Sequence, residues 1–261
     1  MNQAQRRLFL IQSLLKEQPR AVDWDIPRDV DSQRQLLRGL MNIRNPQPID
    51  AAFLTVQDDY LQGELAAKGI TDIDNLAPVA PGLYLWQGDI TTLRCDAIVN
   101  AANSGLTGCY IPSHRCIDNA IHTFAGVELR LACRELMEQQ GCPEPTGRAK
   151  ITPAFNLPCR YVLHTVGPII RGRVTEADKE LLASCYRSCL ELAAENGLES
   201  VAFCCISTGE FHFPNDQAAQ IAVETVKQFM NTKETSVKKV IFNVFKDMDK
   251  EIYARLLGAN E

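Results

Sequence analysis

The chain lacks any apolar run near the roughly 18 residues that a membrane-spanning helix needs. Its first residues, Met1-Asn2-Gln3-Ala4-Gln5-Arg6-Arg7, are polar and then amphipathic, so the uninterrupted hydrophobic stretch of a secretory signal is missing as well. Basic charge is in deficit: 27 Lys and Arg stand against 32 Asp and Glu, a net charge of −5 at pH 7. That balance argues against a general nucleic-acid binder, which would carry a basic face. It still permits a local anion pocket built from backbone N–H groups. Neither an internal repeat nor a low-complexity tract is present, which excludes a solenoid and a disordered chain. A cytoplasmic, globular chain whose cysteines stay reduced is therefore expected. At 261 residues, 46% apolar and 23% charged, it holds one large domain, or one domain and a small companion.

Two regions differ in pattern. Residues 1–75 read as a helical extension without glycine-rich loops. Leu8, Ile11, Leu14 and Leu15 fall on one helical face; Val30, Leu36, Leu37, Leu40 and Ile43 make a second helix, ended by Asn45-Pro46; a third spans about 49–68 and stops at Gly69. This extension is expected to act as a lid, a docking surface or plain structural support. After a proline-containing connector, residues 76–261 alternate strands with helices. Strands are expected at 83–86, 97–99, 150–152, 161–166, 201–206 and 240–245. Helices are expected at about 113–140, 176–195, 215–230 and 247–257. Continuous apolar strands separated by helices predict an α/β fold, with a mixed, mostly parallel sheet covered on both faces. Cys133, Cys185, Cys189, Cys204 and Cys205 lie in these apolar segments as small buried hydrophobes.

Ligands of such sheets sit outside the carboxyl ends of the strands. Three loops fall there: Gly88-Asp89-Ile90-Thr91, Asn100-Ala101-Ala102-Asn103-Ser104-Gly105 and Ser207-Thr208-Gly209-Glu210-Phe211. Asp89 suits an exocyclic amine such as that of adenine, or a turn. Asn103 suits a ribose hydroxyl pair, or again a turn. Successive N–H groups around Gly209 suit a diphosphate. Phe211 and Phe213 would stack on a ring or fill the core.

The densest chemistry is Cys109, His114 and Cys116, within eight residues and just before a helical segment. Two thiolates and an imidazole are donors zinc prefers, and a set of three leaves one position for water or substrate. No second Cys-x-x-Cys pair closes a zinc-finger site. Cys95 or Cys133 could in principle complete a closed site, but neither has a motif tying it there. Asp118 and His122 follow one helical turn apart; His164 is mid-strand and His212 lies beside the glycine loop.

Four motifs, in this order, resemble a macrodomain: Gly88-Asp89-Ile90-Thr91, 97–104, Ile117-Asp118-Asn119-Ala120-Ile121-His122 and 207–214. The cysteine–histidine segment stands where hydrolytic macrodomains carry a glycine run, and this resembles the zinc-containing macrodomains of bacteria and fungi, which also bear helical amino-terminal extensions. The resemblance implies a three-layer fold, one Zn2+ per chain and hydrolysis of ADP-ribose from modified side chains, with Asp/Glu esters foremost. ADP-ribose and an ADP-ribosylated protein are the implied partners, a lipoyl-carrier protein among them; membrane and nucleic acid are not. Residue by residue, it assigns adenine to Asp89 and Ile90. Asn103 takes the distal ribose; Ser207, Thr208, Gly209, Glu210 and Phe211 take the diphosphate. Zinc falls to Cys109, His114 and Cys116, and catalysis to Asp118 with Asn103. Two thiolates leave zinc formally neutral, which favours positioning over strong Lewis acidity. Glu210 departs from the usual aliphatic residue and must point away from the phosphates; His212 replaces a frequent glycine. A non-catalytic ADP-ribose reader and an O-acetyl-ADP-ribose deacetylase are the competing functions.

Overall fold

A computed structural model describes residues 1–18, 25–232 and 234–258. The extension forms α1 (Gln3–Lys16), α2 (Val30–Ile43) and α3 (Ala51–Lys68). Each opens on a side-chain cap: Asn2, Asp29 and Asp50 accept from the third amide of their helices. Leu10, Ile11, Leu14, Leu37, Leu40, Met41, Phe53, Tyr60 and Leu61 meet in a small core, which Val127 joins from the body of the protein.

The body is a three-layer sandwich. Its short strands β1 (Thr71–Asp72) and β3 (Leu93–Arg94) pair with each other. The main sheet contains β2 (Leu83–Gln87), β4 (Ala97–Ala101), β5 (Ala149–Pro153), β6 (Tyr161–Thr165), β7 (Ser200–Phe203) and β8 (Lys239–Val244). Their order is β2-β8-β7-β4-β6-β5, parallel throughout except for β5 against β6. Around it lie α4 (Ile117–Ala125) and α5 (Val127–Gln140) as one group, and α6 (Glu176–Glu195), α7 (Asn215–Thr232) and α8 (Asp247–Leu257) as another. The expected mixed, mostly parallel α/β architecture is the one found. No described helix is long and apolar enough to cross a membrane.

Two elements differ from expectation. The strand expected to reach residue 206 stops at Phe203. β7 pairs with β4 only through Ala97↔Val201 and Ile98↔Ala202. Beyond that the two strands part, and Cys204-Cys205 turn away into the loop that follows. The helix expected over 113–140 begins instead at Ile117 and is cut at Gly126. Gly126 has φ of 99°, and a Cβ there would lie 2.6 Å from the Gln57 amide nitrogen. Gln57, fully buried, accepts from the Val127 N–H at 2.9 Å and so opens α5 from the extension. An unpaired amide at that depth costs roughly 1–3 kcal/mol, so a residue of α3 decides where two helices of the body divide.

All ten cysteines are free thiols. Cys133, Cys185, Cys189 and Cys204 are buried as expected, whereas Cys205 is half-buried. Cys133 lies against His164, itself fully buried in β6. Asn100 Nδ2 donates to His164 Nδ1 at 3.2 Å, so His164 Nε2–H donates to Thr152 Oγ1 at 2.9 Å.

Burial pushes the His164 pKa from 6.5 down to about 3. The unfolded chain therefore takes up a proton, below pH 6.5, that the folded chain refuses. This contribution to stability is complete above pH 6.5 and is lost at about 1.4 kcal/mol per pH unit as pH falls. Replacing His164→Gln, which keeps one acceptor and one donor, is expected to remove about 2 kcal/mol of the drop between pH 7 and pH 5. Urea unfolding at the two pH values measures it.

Candidate active site

The parting of β4 and β7 opens a crevice at the carboxyl ends of the strands, and the loops that follow β2, β4, β7 and β8 surround it. After β2, Asp89 caps the single 3-10 turn Ile90–Thr92. Its Oδ1 accepts from the Thr91 amide at 3.0 Å and hydroxyl at 2.6 Å, and its Oδ2 pairs with Lys68 of α3 at 3.2 Å. Burial works to raise its pKa; the Thr91 hydrogen bonds and the Lys68 charge outweigh it and hold the carboxyl below its ordinary value. Lys68 Nζ also lies 3.3 Å from the centre of the Phe124 ring. Ile90 is buried beneath the turn.

After β4, Asn103 closes its own loop. Its Oδ1 accepts from Gly105 N at 2.9 Å, and its Nδ2 donates to Gly108 O at 3.1 Å and to Asp118 Oδ2 at 3.2 Å. Asp118, in the first turn of α4, also accepts from Asn100 Nδ2 at 2.8 Å. His122 Nε2 lies 3.5 Å from the same carboxylate. Asp118 is 5% exposed. Burial raises its pKa to about 6, against the Asn100 and Asn103 bonds and the Arg130 charge. A carboxylate poised near neutrality, with both oxygens fixed, is equipped to take a proton.

Cys109, His114 and Cys116 come together with their ligand atoms mutually within 4.8 Å, all half-buried. Cys109 Sγ stands 3.5 Å from His114 Nδ1. Cys116 is the N-cap of α4, its sulfur accepting from Asn119 N at 3.4 Å. A thiol is a poor cap; a thiolate facing the positive end of a helix is a favourable one. Burial nevertheless pushes the Cys116 thiol upward, with only the Asn119 amide opposing. With their ligand atoms this close, the three side chains could hold a metal ion. Neither Cys95 nor Cys133 completes the group: Cys95 is buried against the Leu93 and Ala97 carbonyls. Cys133 instead belongs to a second cluster with His122 and His164. His164 has both nitrogens engaged there, so that cluster is core packing.

After β7, the segment 207–212 is a tight turn bracketed by Ser207 and His212, at φ of 64° and 58°. Phe213 N donates to Ser207 O at 2.9 Å and closes it. His212 thus stands in a glycine-type conformation. Among the described residues, the amides of Gly209, Glu210 and Phe211 have no acceptor inside the protein, a concavity of free N–H groups that suits an anion. Phe213 is core, whereas Phe211 is half-exposed. The Glu210 carboxylate lies 3.5 Å from His114 Nε2, turned toward the cysteine–histidine loop.

Sequence reasoning passed over Phe245. It is 77% exposed immediately after β8, and Gly88 N bonds to the neighbouring Val244 O at 3.1 Å, which places Phe245 beside the Asp89 loop. A phenylalanine left in water at the carboxyl end of a core strand was the available signal.

The Macro domain model matches residues 99–222. The chain is 57% identical over 262 positions to a protein from Treponema medium named protein-ADP-ribose hydrolase, covering 99% of this chain and 100% of that one. It is 51% identical over 231 positions to a protein of the same name from Staphylococcus aureus (strain MSSA476), covering 87% and 86%. Among solved structures, the Oceanobacillus iheyensis macrodomain with ADP matches with a TM-score of 0.62 and 38% identity, over 70% of this chain and 94% of that one. A Trypanosoma brucei macrodomain in complex with ADP-ribose matches with a TM-score of 0.66 and 30% identity, over 84% and 95%. With this crevice, this sheet order and these relatives, the chain belongs to the Macro domain family.

Proposed function

We propose that this protein is a hydrolase that removes ADP-ribose from modified protein side chains, with Asp/Glu esters as the linkage and zinc at Cys109, His114 and Cys116. The observation that carries this is the grouping of three metal-type donors within 4.8 Å, beside a buried, doubly hydrogen-bonded Asp118 at the mouth of an anion-binding crevice. A protein that only recognises ADP-ribose has no use for such a grouping. The relatives named protein-ADP-ribose hydrolase support the reaction class.

The donor set suits zinc: two sulfurs and one imidazole nitrogen, half-buried, with Glu210 fixing the far nitrogen of the imidazole in the manner of a carboxylate that orients a ligand histidine. When bound, the ion, formally neutralised by its two thiolates, would supply a fixed point for positioning and mild Lewis acidity beside the scissile linkage. The chain's own residues do the rest. Asp89 accepts from the purine amine above Ile90, and Phe245 offers its face to the purine ring. Ser207, Thr208, Gly209, Glu210 and Phe211 wrap the diphosphate, chiefly through the amides of the last three. Asn103 accepts from a hydroxyl of the distal ribose through Oδ1 while its Nδ2 braces Asp118. Asp118 orients water and accepts its proton. The cellular setting is cytoplasmic, and an ADP-ribosylated lipoyl-carrier protein is the substrate to try first.

Three outcomes are expected. Cys109→Ser abolishes release from Asp/Glu-linked substrates and lowers the metal content from one zinc per chain, while calorimetry finds ADP-ribose binding largely intact; equal loss of binding would argue against the division of labour. Asp118→Ala lowers kcat by about 100- to 10,000-fold, read by single-turnover release with Ser-, Arg- and acetyl-linked substrates assayed in parallel. Phe245→Ala weakens ADP-ribose by about 1–3 kcal/mol without changing metal content.

A further inference from the structure

We infer that α2 of the amino-terminal extension is the outer wall of the cysteine–histidine site, and that Arg38 and Asn42 are positioning residues that hold the ligand loop in its metal-binding shape. This rests on the reading of Cys109, His114 and Cys116 as a zinc site.

The loop at 109–116 has little internal structure. Its backbone includes one turn bond, from His114 N to Ile111 O at 3.2 Å, and the strained Ser113 at φ of 54°. What fixes it comes from outside. Arg38 Nη2 donates to His114 O at 3.0 Å. The same guanidinium grips Asn119 Oδ1 through Nε at 3.1 Å and Nη2 at 2.8 Å. Asn119, fully buried, passes the constraint on: its Nδ2 donates to Ile111 O at 3.0 Å, and its backbone amide meets Cys116 Sγ. One turn further along α2, Asn42 Oδ1 accepts from Ser113 N at 2.9 Å, while its Nδ2 donates to Thr123 Oγ1 at 2.9 Å. Between them, α2 presents Gly39 to Pro112, where an added Cβ would rest 3.7 Å from the proline. The carboxyl end of α2 is tied in as well: Arg130 donates to Asn42 O at 2.7 Å and Arg44 O at 2.6 Å, and reaches Cys109 O at 3.4 Å.

Each of these contacts removes freedom that a bare loop would lose only on taking up metal, and ordering costs about 1–2 kcal/mol per backbone residue. Partners of this outer kind change metal affinity by about 10- to 100-fold in other sites. Arg34, one turn earlier on α2, pairs instead with Glu64 and Asp31 and makes no bond to the loop; it is the internal control.

The test uses the full chain. Wild type, Arg38→Met, Arg38→Lys, Asn42→Ala and Arg34→Ala are titrated with zinc against a chromogenic chelator, with ADP-ribose affinity and thermal unfolding of the metal-free chains measured alongside. Arg38→Met and Asn42→Ala are expected to lose about 10- to 100-fold in zinc affinity while keeping ADP-ribose affinity. Arg38→Lys, which keeps the charge but not the fork, is expected to fall between them and wild type, and it replaces Arg38→Met if that chain does not fold. Arg34→Ala is expected to match wild type. Zinc affinity within twofold of wild type in folded Arg38 and Asn42 variants overturns the inference and leaves the zinc reading standing. A wild-type chain that takes up no zinc overturns both.

Discussion

The parting of β4 and β7 after two paired positions is the constraint from which the rest of the molecule follows. A parallel sheet whose central strands stayed together would present a closed edge. Here the strands separate, and the chain after each must turn outward in a different direction. The loops after β2, β4, β7 and β8 inherit the gap between them. Their backbone polar groups, released from the sheet, face a ligand rather than a neighbouring strand.

The two sides of this gap are finished by opposite means. On the side of the 207–212 turn, the amides of 209–211 have no acceptor among the described residues, an arrangement that suits an anion. On the Asp118 side, hydrogen bonds are spent inside the protein: Asn100 and Asn103 both donate to Asp118, and Asn103 also donates to the Gly108 carbonyl. Donors and a carboxylate fixed in this way would need no rearrangement if charge developed beside them. His122 completes the packing here, since Gly108 has φ of 84° and a Cβ on it would lie 2.8 Å from the imidazole. Glycine before the first cysteine is therefore a requirement of the histidine beneath it.

Much of this was legible in the residues. Continuous apolar strands with helices between them specify the sheet, because strands buried on both faces have nowhere to place polar side chains. The three metal-type donors lie within eight residues, so their closeness in sequence keeps them near one another. What was not legible depends on partners distant in sequence. Nothing near Gly126 announces that Gln57 will open a helix there. The single long apolar periodicity over 113–140 hides that break, and it hides a loop whose shape is set by Arg38 and Asn42. Asn103 reads locally as a turn residue or a ribose ligand; that both amide hydrogens are committed to Gly108 and Asp118 appears only when α4 is packed against β4. The strand at 201–206 reads long because its sequence is apolar to the end, and only the loss of pairing with β4 stops it.

The bracketed turn at 207–212 carries one more implication. Two side-chain-bearing residues held at positive φ cost roughly 1–2 kcal/mol each, a strain sustained by the surrounding packing before anything binds. Because that cost falls on the free protein, a nucleotide arriving there would meet a finished receptor and have little of it left to organise. Capture should then behave as an encounter between preformed shapes, its speed governed by how often the partners collide in register. Selectivity among nucleotides would be expressed in how long each one stays.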